Sequence, residues 1–126
     1  MKKFNWIFLL LTLSMFIVGC QANDQTSNTN GTVTITISEN KQEEIIATKE
    51  IELNDETNLM TLMEENFDIV VEGDGFITAI EGEEQVPDNN LYWMYTVNGE
   101  QANVGASDFE LSPNDKVNFD LQEVSY

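Results

Sequence analysis

The sequence predicts an α+β fold, a mixed sheet of about five or six strands with one helix packed on one face. Three observations predict it. Thr32–Ser38 and Val117–Leu121 alternate apolar and polar residues with period two, as half-buried strands do. A single stretch, residues 59–67, carries its apolar residues at helical spacing. Between these lie short alternating runs separated by Gly, Asn and Pro turns. A lone amphipathic helix must bury its stripe, and one face of the sheet is the partner available to it.

Residues 1–19 read as a leader rather than as part of the fold. Lys2 and Lys3 give a positive start, and Trp6–Val18 is an apolar run interrupted only by Thr12 and Ser14. A spanning helix needs about 20 apolar residues, so this run fits the core of a signal peptide better than a membrane span. Ile17-Val18-Gly19-Cys20 closes it and resembles the bacterial lipobox. That resemblance implies cleavage before Cys20 and lipidation of Cys20, with the protein held on the outer face of the cytoplasmic membrane of a Gram-positive bacterium. Dual acylation anchors stably where a single chain does not. Gln21–Gly31, QANDQTSNTNG, is polar and without periodicity, so residues 20–31 read as the lipidated Cys and a flexible tether. Eleven such residues reach roughly 18 Å as a coil and at most about 38 Å extended.

The folded domain is expected over residues 32–126. Thr32–Ser38 places Val33, Ile35 and Ile37 on one face and threonines on the other. Glu39–Glu44 is a charged connection. Ile45–Leu53 alternates again, with Ile45, Ala47, Ile51 and Leu53 on one face and Lys49 as the breach. The pair reads as an antiparallel hairpin with one wet side. Leu59, Met60, Leu62, Met63 and Phe67 then form one helical stripe, with Thr57 or Asp55 able to cap its start and Asn66 a plausible stop. Asp68–Glu72 and Phe76–Ile80 are strand-like on either side of Gly73-Asp74-Gly75. Glu81–Asn90 reads as an acidic loop made irregular by Pro87, and Leu91–Val97 as the central aromatic strand. Ser112-Pro113-Asn114-Asp115 places Pro where a type I turn prefers it, ahead of the last strand. Two strands, one helix and four strands fit a β-grasp arrangement better than a ferredoxin-like sheet, which needs a second helix.

The charge and the absent residue types narrow the function. Loss of the leader leaves three Lys against 23 acids, a net charge of −20. Such a balance argues against nucleic acid as a partner and against docking on anionic lipid, so the membrane is met through the lipid anchor only. The chain has no His and no Arg, and Cys20 is its one Cys. Nucleophilic triads and His- or Cys-ligated metal centres therefore lack their residues. No Gly-rich phosphate loop and no EF-hand spacing is present. No enzyme activity, metal or cofactor is expected.

The aromatics point elsewhere. Tyr92, Trp93, Met94 and Tyr95 follow one another, and Asn98-Gly99 then gives a hairpin turn. Strand parity sets Leu91, Trp93, Tyr95 and Val97 on one face, expected toward the helix, and Tyr92, Met94 and Thr96 on the other. An amphipathic ring and a soft thioether suit a ligand platform, and they equally suit cross-strand packing.

Trp93-Met94-Tyr95-x-Val97-Asn98-Gly99, then Gly105-Ala106-Ser107-Asp108-Phe109 and Leu111, resembles a family of bacterial surface domains named for their likeness to the C-terminal domain of transcobalamin. The likeness extends over roughly Thr32 to Tyr126. It implies a β-grasp-like domain and binding of cobalamin, a similar corrinoid or another large planar molecule at Tyr92, Trp93, Met94, Tyr95, Asn98 and Gly99. Met94 and Tyr95 stand where the animal proteins carry Gln and another aromatic. The chain also lacks the helical domain that completes the animal site, so a partner such as a membrane transporter component is expected to complete this one. The sequence thus leads to an anchored extracellular lipoprotein carrying a non-catalytic binding module that assists uptake. The alternative it leaves open is a surface display or protein-interaction module without a small-molecule ligand.

Overall fold

The structure is a computed structural model that describes residues 31–126. The expected signal peptide, Cys20 and the tether up to residue 30 lie outside the described residues. The elements are β1 (Thr32–Glu39), β2 (Glu44–Glu52), α1 (Leu59–Asn66), β3 (Ile69–Glu72), β4 (Phe76–Ile80), β5 (Glu83–Glu84), β6 (Leu91–Val97), β7 (Glu100–Gln101) and β8 (Lys116–Glu123), with 3₁₀ turns at Pro87–Asn89 and Ala106–Asp108.

Five strands form the main sheet in the order β2-β1-β8-β6-β7. β1 and β8 run parallel, and every other neighbouring pair in this sheet is antiparallel. First and last strands side by side at the centre, with one helix on one face, is the β-grasp arrangement. The expected mixed sheet is present with five strands, and β3, β4 and β5 form a further sheet of three. Glu83–Glu84 pairs with Ala79 and Ile80, so the acidic loop before Pro87 supplies a strand that its composition hides.

The core lies between the helix and one face of the main sheet. Val33, Ile35 and Ile37 of β1, Val117 and Phe119 of β8, and Leu59, Leu62 and Met63 of α1 are all buried there. The observed N-cap lies one residue after Thr57 and three after Asp55. Asn58 caps the helix, its Oδ1 accepting the Thr61 amide at 3.2 Å, because Thr57 is engaged by its hydroxyl with Glu110. At the other end, the Lys49 ammonium donates to the Asn66 carbonyl and lies 4.8 Å above the Phe67 ring. That contact explains the breach in the β2 pattern. The lysine stem covers the end of the helix, and its charge meets the negative end of the helix dipole.

Ile45 does not join the core face as expected. Ile37 pairs with Ala47 while Ser38 pairs with Ile45, so one extra residue on β2 shifts the alternation, and Ile45 is left 58% exposed. Beyond this bulge, Asn40, Lys41 and Gln42 take left-handed φ values of 54°, 59° and 69° in succession. The turn folds onto Asp120 of β8, whose carboxylate accepts the Lys41 and Gln42 amides at 2.9 Å each and the Ser38 hydroxyl at 2.7 Å.

Candidate functional site

β6 builds the site because its outer edge is only partly covered. β7 pairs with Thr96 and Val97 alone, and Leu91 exchanges two backbone hydrogen bonds with Val86, at 2.9 and 3.1 Å. Between those points no strand lies beside β6 among the described residues. Leu91 and Tyr95 both direct backbone groups outward, to Val86 and to the Ala102 amide. Strand alternation therefore aims the backbone N–H and C=O of Trp93 into the same gap.

The gap is a pocket of about 520 Å³, lined by Tyr92, Trp93, Met94 and Tyr95, by Phe76 and Ile77 of β4, by Gln85, by Gly105 and Ala106, and by Phe119, Val124 and Tyr126. Its volume is that of an ordinary small-molecule site. No charged residue lines it. In a chain with 23 acids, that is the main chemical fact about the site.

Each wall has an identifiable support. Tyr95 stacks on Phe119 with ring centroids 5.0 Å apart, meets Phe109 edge-on at 6.3 Å, and donates its hydroxyl to the Val104 carbonyl. Burial, with the nearby Asp108 carboxylate, raises its phenol pKa above the ordinary value, which keeps the hydroxyl a donor. Trp93 packs against the core and donates its indole N–H to the Glu83 carbonyl at 3.1 Å, tying β6 to β5. The hairpin tip before Phe76 fits against the turn at Ala106–Asp108. A Cβ on Gly75, whose φ is +98°, would stand 3.1 Å from the Ser107 hydroxyl oxygen. The Ser107 backbone carbonyl accepts the Asn58 side-chain amide at 2.9 Å, so the same short segment meets the helix cap and the pocket wall.

Of the residues the sequence singles out, the structure brings Tyr92, Trp93, Met94 and Tyr95 to one pocket despite their opposite parity. Residues of both parities line it, together with Phe119 of β8. Asn98 and Gly99 are elsewhere. They form the β6–β7 turn with φ values of 53° and 81°, and Asn98 binds the start of β8 through Lys116 and Asp115. Asn98 borders a different recess, with Phe109 and Ser112. Sequence reasoning missed Phe76, Gln85, Phe119 and Tyr126 as pocket residues. Only Phe76 left a local trace, an aromatic directly after a Gly-Asp-Gly turn, and it is 71% exposed.

An electrostatic cost lies outside the pocket lining. At the end of β1, burial and then the Glu83 and Glu44 carboxylates raise the pKa of Glu39 above its ordinary value. The folded chain then binds this proton more tightly than the unfolded chain does. Stability is therefore lost as pH rises from the usual carboxylate range through the raised value. Glu39→Gln is expected to raise Tm at pH 7, by up to about 4 °C, and to leave it unchanged near pH 3.5. A lower Tm than the parent at pH 7 would contradict this account.

Among the described residues no group of three or more His, Cys, Asp or Glu converges as a metal site requires, and no helix is long and apolar enough to cross a membrane. A family model described as "Domain of unknown function (DUF4430)" matches residues 56–123. No curated protein matches the chain. Solved structures that share its fold include the following two. One is a candidate metal-binding protein from Ruminococcus gnavus ATCC 29149, 24% identical over 75% of this chain and 99% of its own, with a TM-score of 0.58. The other is haptocorrin in complex with Cbi, 17% identical over 76% of this chain, also with a TM-score of 0.58. The chain spans only 25% of the length of haptocorrin. The transcobalamin-like fold expected from the aromatic strand is thus present.

Proposed function

This chain belongs to the DUF4430 family, and from that premise we propose that it is a lipid-anchored extracellular module that binds a corrinoid or similar planar molecule without catalysis and assists its uptake. One observation carries the reading: the uncharged aromatic pocket at the free edge of β6. A flat macrocycle offers apolar faces to Trp93, Tyr95 and Phe76, and hydrogen-bonding groups at its margin to the unpaired edge. The haptocorrin described with Cbi carries a related fold, which supports trying that ligand class first. A flat ligand would be held on one side only by a domain of this size, which leaves room for a transporter component to cover the other.

The placement of the pocket supports capture from outside. The chain enters at Gly31, beside Pro113, at the end of the sheet where Val97 and Lys116 lie. The pocket occupies the opposite half, toward Leu91 and Glu123. A tether attached at Gly31 would therefore hold the pocket away from the membrane.

Trp93 is the one Trp that remains after loss of the leader, since the other is Trp6. Its fluorescence reports on the site alone. Titration of residues 31–126 with corrinoids is expected to quench it with saturation, and no quenching and no heat at millimolar ligand would remove the reading. Cys20→Ser is expected to move the protein from the membrane fraction to the medium or to leave its leader uncleaved. Unchanged membrane retention would remove the anchor.

A further inference from the structure

We infer that Tyr126 is a ligand-binding residue whose ring closes over a planar molecule seated on β6, holding it against the aromatic floor. The inference rests on the reading of the pocket as a site for a flat ligand, and adds the residue that meets the ligand's outer face. Position is the first observation that carries it. Val124 and Tyr126 both line the pocket, although the last strand ends at Glu123. Both lie beyond residues 56–123, which the family model covers, so this wall is a feature of the chain's own residues after β8.

Attachment is the second. The Val124 amide donates to the Asn90 carbonyl at 2.9 Å, which fixes Val124 beside the start of β6. Past that point, among the described residues, no hydrogen bond or ring contact holds Ser125 or Tyr126. Two residues pivoting on Val124 can carry a ring about 7 Å before the side chain adds its own length. Exposure is the third. Trp93 and Tyr95 are committed within the fold, through the Glu83 carbonyl and the Phe119 ring. Tyr126 is 101% exposed, a large ring left in water beside an uncharged lining. Moving it onto a ligand breaks no contact of the fold and costs only the ordering of a short arm. The apolar area it buries and its offset stacking on a flat surface then appear directly as affinity. One ring covers part of the outer face of a macrocycle and leaves the remainder to a partner.

The test titrates residues 31–126 with cobinamide, followed by Trp93 fluorescence, in the parent, Tyr126→Ala and Tyr126→Phe. Tyr126→Ala is expected to bind about tenfold more weakly, through faster dissociation, with Tm within about 2 °C of the parent. Tyr126→Phe keeps the ring and is expected to bind within about twofold of the parent. A second measurement reads the closure itself: carboxypeptidase A releases Tyr126 from the free domain, and saturating cobinamide should slow that release several-fold. Parent-like affinity in Tyr126→Ala overturns the inference and leaves the corrinoid reading standing, as does release of Tyr126 at one rate with and without ligand. A loss in Tyr126→Phe equal to that in Tyr126→Ala assigns the effect to the hydroxyl and overturns closure by the ring. Absence of quenching in the parent itself overturns the corrinoid reading and the inference together.

Discussion

Asp120→Ala is expected to lower the stability of the folded domain by about 3 kcal/mol, a fall in Tm of about 15 °C for a domain of this size. The carboxylate is buried, 5% exposed, and accepts three hydrogen bonds, two of them from backbone amides. Those amides belong to Lys41 and Gln42, which hold left-handed backbone along with Asn40. Left-handed conformations cost non-Gly residues roughly 1–2 kcal/mol each, and the charged acceptor offsets that cost. Its removal leaves the donors unpaired and the strain unopposed. Asn118 extends the chain of bonds by donating to the Ser38 hydroxyl at 2.9 Å. Asp120→Asn is expected to fall between the two, because its amide nitrogen turns a donor toward one of the donors it must serve. Thermal unfolding ranks the variants, and hydrogen exchange at the Lys41 and Gln42 amides locates the damage. A shift of Asp120→Ala by less than about 3 °C would show that the turn is held by other means.

Much of this fold was legible because its signals are local. The period-two pattern of β1 and β8 and the single stripe of α1 settle which faces are buried. The Asn98-Gly99 and Ser112–Asp115 turns lie where their residues require. What escaped the sequence depends on residues distant in the chain. The bulge opposite Ile37 and Ser38 is set by the pairing with β1, and the run Ile45-Ile46-Ala47 does not by itself say which of its residues leaves the core face. β5 is invisible because Glu83 and Glu84 are strand residues only by virtue of Ala79 and Ile80 beside them. The N-cap moved to Asn58 because Thr57 is claimed by Glu110, fifty-three residues away in sequence. The candidate site divides in the same way. Its floor is one continuous strand, so Tyr92–Tyr95 could be named in advance. Its walls come from the β3–β4 hairpin, the turn at Ala106 and the residues after β8, which only the fold assembles.

The pocket floor gives the second large effect, and here folding and binding must be separated. Trp93→Ala removes a partly buried indole that packs on the core and bonds to the Glu83 carbonyl. A fully buried Trp truncation costs about 3–5 kcal/mol, and a partly exposed one about half of that, so Tm should drop by roughly 10 °C. Affinity for a planar ligand should fall by at least about 30-fold, as for an aromatic anchor at a binding site. That variant alone could lose binding simply through loss of structure. Phe76→Ala removes the ambiguity. Its ring is 71% exposed and contributes little to the core, so Tm should stay within about 2 °C of the parent. Yet it forms a wall of the same pocket, and its loss should weaken the ligand about tenfold. Trp93→Phe completes the set. It keeps an aromatic face and forfeits only the indole donor, with an expected stability loss of about 1 kcal/mol and affinity close to the parent's. Calorimetric titration of all three, beside their melting curves, distinguishes the outcomes. Weak binding by Phe76→Ala at unchanged Tm places the ligand on the aromatic walls. Parent-like binding by both Phe76→Ala and Trp93→Ala would move the ligand off this face of the domain altogether.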